Sequence, residues 1–361
     1  MKTTDTPADG DRASASGVHR VLLGAAAIVV IIAGLKLMAW LVAPVMLALV
    51  LVVAVAPLQG FLLRHGWPRW LTAGVILVGL YGFLAAFAVI MASSIGRLAA
   101  LLPQYAAQAD ELIASLHDLL SGLGFSTEQI TGLVETIDPS NLVALAASLL
   151  GSLMGLLTNL LFLLGLLLFM AVDAAGFPDR LANLARSHPE LADAFRSFAK
   201  GTRQYLLVST VFGLVVAVID GVGLWLLGVP LPILWALLAF VTNYIPNVGF
   251  IIGLLPPALL GLLSGGVGTM LWVVALYCVA NFVLQSLVQP KVVGNSIDLS
   301  VTMTFLALVF WSWTIGGLGA VLAIPLTLLV KALLVDASAA TRWANNLLSA
   351  KATPSVKRRR S

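Results

Sequence analysis

Between residues 204 and 290 this chain carries one ionisable acid or base, Asp220, and the windows 37–63, 70–96, 139–172 and 299–330 carry none. A helix needs about 20 apolar residues to cross the hydrocarbon of a bilayer. Irregular backbone facing lipid would leave each amide unpaired at several kcal/mol, so windows of this kind must be helical. The 361 residues are 60% hydrophobic and 10% charged, against about 25% charged in a soluble domain. No soluble fold of this length has interior enough to hide that much apolar surface. The pattern predicts an all-α integral membrane protein.

Each of the four charge-free windows holds one span, and residues 21–35 hold a first one if Lys36 extends its ammonium to the interface. No small-residue cleavage site follows that first run, so it reads as a retained span rather than a removed signal peptide. The long window divides at Gly228-Val229-Pro230-Leu231-Pro232 and at Ser264-Gly265-Gly266-Val267-Gly268, because glycine and proline clusters punctuate helices. That makes about eight transmembrane helices. The basic connections are Arg64 with Arg69, the segment 173–203 with Arg180, Arg186, Arg196, Lys200 and Arg203, and the tail Lys357-Arg358-Arg359-Arg360. The excess of Lys and Arg marks the cytoplasmic side. Eight spans put all three there, with both termini inside, and leave the acidic segment 97–140 outside.

The expected organisation is a cytoplasmic tail (1–20), a transmembrane domain (21–335) and a basic cytoplasmic tail (336–361). Within the external segment, Leu98, Leu101, Leu102, Tyr105, Ala109, Leu112, Ile113 and Leu116 recur at helical spacing. A second short helix is expected from Ser126, which has capping-box spacing to Gln129. The external segment reads either as a helical hairpin on the membrane or as an oligomer contact or outer gate. A cytoplasmic helical segment is expected within 173–203, with Leu181, Leu184, Leu191, Phe195 and Phe198 on its apolar face. The basic tail is a topology determinant that also meets anionic lipid.

Enzyme chemistry finds little support. The four histidines, His19, His65, His117 and His188, fall outside the expected spans, and the one cysteine, Cys278, sits in an apolar run. Neither an H-E-x-x-H zinc motif nor a G-x-x-x-x-G-K-[ST] phosphate loop occurs. No catalytic residue, cofactor or metal site is expected, and the modest net charge of +4 gives no reason to expect a nucleic-acid partner.

Polar groups at membrane depth are the functional candidates. Asp220 is central in its span, where a charge costs about 2.5–3.5 kcal/mol on an insertion scale. It is either a proton or coupling-ion site or a structural acid bonded to neighbouring helices. Pro246 breaks the sixth span, flanked by Asn243, Asn247 and Gly249. It is a simple proline kink, or a discontinuous helix bordering a transport path. Asn281, Gln285 and Gln289 put three amides on one helix face, as interhelical glue or as path-lining groups. The connection that follows adds Pro290, Lys291, Gly294, Asn295 and Asp298, with Lys291 and Asp298 able to pair.

Three stretches resemble the signatures of the autoinducer-2 exporter family. Leu227-Gly228-Val229-Pro230 with Ile245-Pro246-Asn247-Val248-Gly249 resembles its "G-V-P … I-P-x-x-G". The stretch Pro290 to Ser300 is similar to its "P-x-x-x-G-x-x-x-x-L-[SH]-P", departing at Val301, where the family usually has proline. Gly316-Gly317-Leu318-Gly319 through Ala323-Ile324-Pro325-Leu326 resembles its closing "G-x-x-G-x-x-x-A-x-P-L". The resemblance implies a bacterial inner-membrane transporter. Its members are associated with export of the quorum-sensing signal autoinducer-2, others are described as sodium–proton antiporters, and members are thought to form homo-oligomers. The expected function is secondary or facilitated export of a small polar solute. The alternatives are a cation–proton antiporter and a non-transporting membrane scaffold.

Overall fold

A computed structural model describes residues 9–122, 162–174, 176–246, 248–289 and 299–337. Among them the chain is helical throughout, without strands. We number the helices α1 (Asp9–Leu37), α2 (Ala39–Arg64), α3 (Arg69–Gly122), α4 (Phe162–Ala174), α5 (Phe177–Ser187), α6 (Pro189–Leu226), α7 (Pro232–Thr242), α8 (Gly249–Asn281), α9 (Val301–Ile315), α10 (Gly317–Val321) and α11 (Ala323–Lys331). A π-helical segment, Phe282–Val288, continues α8, and another, Ala332–Asp336, continues α11. Four stretches are long and apolar enough to cross a membrane: Ala39–Arg64, Arg69–Leu101, Pro189–Leu226 and Gly249–Val288. The α4–α5 pair, bent by 57°, would make a fifth.

Length understates how the chain turns inside the apolar region. Within α8, Gly266 has φ 75° and ψ −174°, a backbone conformation essentially confined to glycine. A Cβ on Gly261 would lie 3.3 Å from the Val273 side chain, although twelve residues of straight helix would separate them by about 18 Å. The helix folds back at Gly266, at the glycine cluster where the sequence places a division between spans.

Two further reversals were not expected. The break after α7 reads in sequence as an interruption of one continuous sixth span. Instead, a Cβ on Gly253 would lie 3.6 Å from the Cα of Ala239, against about 21 Å along an unbroken helix. The chain therefore reverses between Thr242 and Gly249, and α7 runs antiparallel to the start of α8. Gly249 permits the crossing: a Cβ there would fall on the carbonyl oxygen of Thr242. At about 16 Å, α7 covers half the hydrocarbon thickness.

The closing region repeats the device. Ser300 Oγ caps α9 by accepting from the Met303 amide at 3.2 Å. The helix ends at Gly316, φ 75° and ψ −155°. The indole of Trp311 then donates to Thr327 Oγ1 at 3.0 Å, whereas sixteen residues of straight helix span about 24 Å. So α9 folds back onto α10 and α11, and the expected single eighth span is a hairpin.

The hairpins meet. Ile245 and Val248, at the α7–α8 turn, pack against the cluster of Trp311, Ile315, Ala320, Leu322 and Ala323. Around them, Met91, Ile95, Leu98 and Leu101 of α3 pack on the α7–α8 core of Leu234, Trp235, Ala258 and Tyr277. The hydroxyl of Tyr81 donates to the Leu164 carbonyl and ties α3 to α4. Helix α3 continues without interruption to Gly122, so residues 97–122 extend a spanning helix rather than starting a separate one. The expected helix from Ser126 lies outside the described residues. The segment expected in the cytoplasm is helical, in α5 and the start of α6. Lys36 places its ammonium 3.8 Å from the centre of the Trp313 ring.

Candidate transport site

The α7–α8 turn is latched to α6 by hydrogen bonds at successive levels. Tyr205 donates to the Tyr244 carbonyl at 2.5 Å, and Asn243 Nδ2 donates to the Ser209 carbonyl at 3.0 Å. Thr210 spends its own proton on the Leu206 carbonyl (2.6 Å), so the Tyr244 hydroxyl is the donor in their 2.6 Å contact. These bonds satisfy backbone that a reversal inside an apolar region would otherwise strand.

Beyond the latch lies an amide cluster. Gln285 Nε2 donates to Asn243 Oδ1 at 3.1 Å and to Asn281 Oδ1 at 2.7 Å, and Asn281 Nδ2 donates to the Tyr277 carbonyl at 2.9 Å. The structure thus brings together Asn243, Asn281 and Gln285, although Asn243 follows α7 and the other two lie at the far end of α8 and in its π-helical continuation. Gln289 shares their helix but lies off the cluster. Pro246 occupies the turn itself, and its carbonyl accepts from the Val248 amide at 2.7 Å. Asn247, Pro290, Lys291, Gly294, Asn295 and Asp298 fall outside the described residues.

Asp220 faces this cluster. Its exposure is 0%, and neither carboxyl oxygen has a hydrogen-bond partner among the described residues. The hydroxyl of Tyr277 is equally buried and unpartnered. Asp220, Thr242, Asn243, Gly253, Tyr277, Asn281 and Gln285 surround a void of about 10 Å³, room for about one water molecule. Gly253 is one of the residues of that wall, and the tandem prolines Pro256 and Pro257 withhold both the i+3 and the i+4 amide hydrogens from its carbonyl. No cluster of metal-binding side chains occurs among the described residues.

Sequence reasoning missed Tyr277, Thr242 and the freed Gly253 carbonyl. Tyr277 stands four residues before Asn281, so the stripe of amides could have been extended by one turn. The proline pair was visible as well, since each proline strips a hydrogen bond from a carbonyl at a known offset.

Polar side chains converging inside a bundle of apolar helices, at chain reversals within the apolar region, define a multi-pass membrane transporter class. The comparisons make the class specific. The profile of the AI-2E family transporter matches residues 26–338, and the chain belongs to that family. It is 30% identical to a putative transport protein, YhhT, of Escherichia coli K12, over 88% of this chain and 90% of the relative. It is 30% identical to a putative transport protein of Haemophilus influenzae, over 91% and 95%. It is 28% identical to the AI-2 transport protein TqsA of Escherichia coli K12, over 84% and 88%.

Proposed function

We propose that this protein is a secondary transporter of the bacterial inner membrane that exports a small polar solute and couples its cycle to a proton or small monovalent cation taken up at Asp220. The observation that carries this reading is the fully buried, unpartnered carboxyl group beside a void the size of one water. An uncompensated charge at such depth is expensive, so the group is either protonated and neutral or, when ionised, paired with a bound cation. The void is far too small for an organic solute, which favours an ion as its occupant. The solute path then follows the polar seam between the end of α7 and the second arm of α8, at Asn243, Asn281 and Gln285.

The reversals support a revised topology. Six spans (α1, α2, α3, α4, α6 and the second arm of α8) with two re-entrant hairpins keep the basic segments and both termini in the cytoplasm. The α7–α8 hairpin then enters from outside and the α9–α11 hairpin from inside. Discontinuous helices meeting near the midplane are how many secondary transporters build their sites. The name of the TqsA relative makes autoinducer-2 the first solute to test. Cation–proton exchange is the second reading, favoured by the same small void. Homo-oligomeric assembly belongs to the proposal as well.

The test is flux in proteoliposomes, comparing autoinducer-2 with monovalent cations, with and without a pH gradient. Asp220→Asn should insert normally and lose the gradient-dependent part of the flux. Unchanged gradient dependence in that variant ends the coupling reading.

A further inference from the structure

At the other end of α6 lies a larger cavity that the transport reading does not use. Its volume is about 490 Å³, within the usual range of small-molecule sites. The walls are apolar: Leu49 and Val52 of α2, Met170 of α4, Phe177 of α5, Phe198 of α6 and Leu329 of α11. The polar groups on it are Gln59, Asp173, Arg180 and Arg203.

Arg203 is held there by a proline. Pro57 has no amide hydrogen, so the Val53 carbonyl loses its helical donor. Arg203 Nε donates to that carbonyl at 3.0 Å. The bond fixes the guanidinium, and its two terminal nitrogens have no partner among the described residues. Arg180 meets Asp173 at 3.8 Å, with both side chains mostly exposed (69% and 75%), a weak pairing. Lys200 and Arg203 also edge an open apolar groove of about 600 Å³ formed by Leu207, Val211 and Phe212. Three cations against one acid leave the rim positive. Along α2 the cavity wall runs from Leu49 to Leu63, about 21 Å, enough to follow an acyl chain through the roughly 15 Å hydrocarbon depth of one leaflet.

We propose that this cavity binds an anionic phospholipid of the cytoplasmic leaflet. The phosphate sits on Arg203 with Arg180 and Lys200 nearby, one acyl chain enters the α2–α4–α6 cavity, and the second lies in the Leu207–Val211 groove. A fixed guanidinium fork suits a phosphate better than a free ammonium does. The apolar walls disfavour a polar solute. The leaflet assignment rests on the orientation proposed above, but lipid binding itself does not depend on any transport activity.

The test is native mass spectrometry of the full chain, delipidated in detergent and titrated with phosphatidylglycerol or phosphatidylcholine. Wild type should retain phosphatidylglycerol about tenfold better, the size of one charge-assisted hydrogen bond. Arg203→Gln should bring it down to the phosphatidylcholine level. Val52→Trp, which fills the cavity and keeps every charge, should lower retention of both lipids. Arg196→Gln, on a residue paired with Asp193 away from the cavity, should change nothing. Equal retention by wild type and Arg203→Gln overturns the proposal. So does competition by glycerol phosphate as effective as by the lipid, which would make this a site for free phosphate esters, and so does retention untouched by Val52→Trp.

Discussion

Replacing Gly249 by alanine should damage this protein more than its single methyl group suggests. The added Cβ would fall on the Thr242 carbonyl oxygen and 2.7 Å from its carbonyl carbon. Ordinary carbon–carbon separation is about 3.5–4.0 Å, so the two limbs of the turn must part by at least about 1 Å. Both sides of the contact are backbone and cannot swing away. Parting them threatens the Ile245 amide bond to Thr242 (2.8 Å) and the Gly249 amide bond to Ile245 (3.0 Å). Overpacking costs about 1–3 kcal/mol, and two weakened hydrogen bonds add about 1 kcal/mol each, for a loss of roughly 3–5 kcal/mol. Gly268→Ala is the control, because nothing lies within 4 Å of its Cβ position. Denaturant titration of the purified protein in detergent, alongside solute flux in liposomes, reads both effects. If Gly249→Ala unfolds at the same midpoint as Gly268→Ala and transports normally, the α7–α8 reversal is wrong.

Two other substitutions probe the polar seam. Gln285→Leu removes the donor to Asn243 Oδ1 and Asn281 Oδ1 and leaves two half-buried acceptors unpaired. A loss of about 1–3 kcal/mol is expected, with solute flux reduced, and wild-type stability in the same titration would show that the amides find other partners. Pro257→Ala returns an amide hydrogen to the Gly253 carbonyl. The helix should become more stable by up to about 3 kcal/mol while gradient-dependent flux falls, and undiminished flux would remove that carbonyl from the ion site.

The helical class and the placement of polar groups were legible because hydrocarbon leaves so little freedom. Charge-free length marks where the apolar helices lie, and Gly265-Gly266 marks a division that the φ of Gly266 explains. The direction of the breaks was not legible. A proline kink and a full reversal both require glycine and proline, and what selects reversal at 243–248 is a tertiary fact, the fit of Gly249 against Thr242. Gly316 hides its role in the same way: within the closing motif it looks like a small residue in a span, and the Trp311–Thr327 bond shows the fold-back. At the site, the four-residue spacing of Asn281 and Gln285 was readable from a helix period. Asn243 joins them across 42 residues, and no local pattern carries that information.

Proline has one role in two places here, and the comparison bears on what Asp220 does. Pro57 strips the Val53 carbonyl of its donor, and the protein answers with a cation, the Arg203 guanidinium. Pro256 and Pro257 strip the Gly253 carbonyl in the same way, yet no basic side chain lines that void. The void instead gathers more acceptors, the two Asp220 oxygens, against one unpartnered hydroxyl, that of Tyr277. Acceptors in excess of donors, in a space for one small particle, are poor structural glue, since buried polar groups persist only when paired. They suit an occupant that arrives with positive charge or protons and leaves again. The first carbonyl is closed by a side chain; the second has no such closure, which is the arrangement the proposed uptake of a mobile ion beside Asp220 requires.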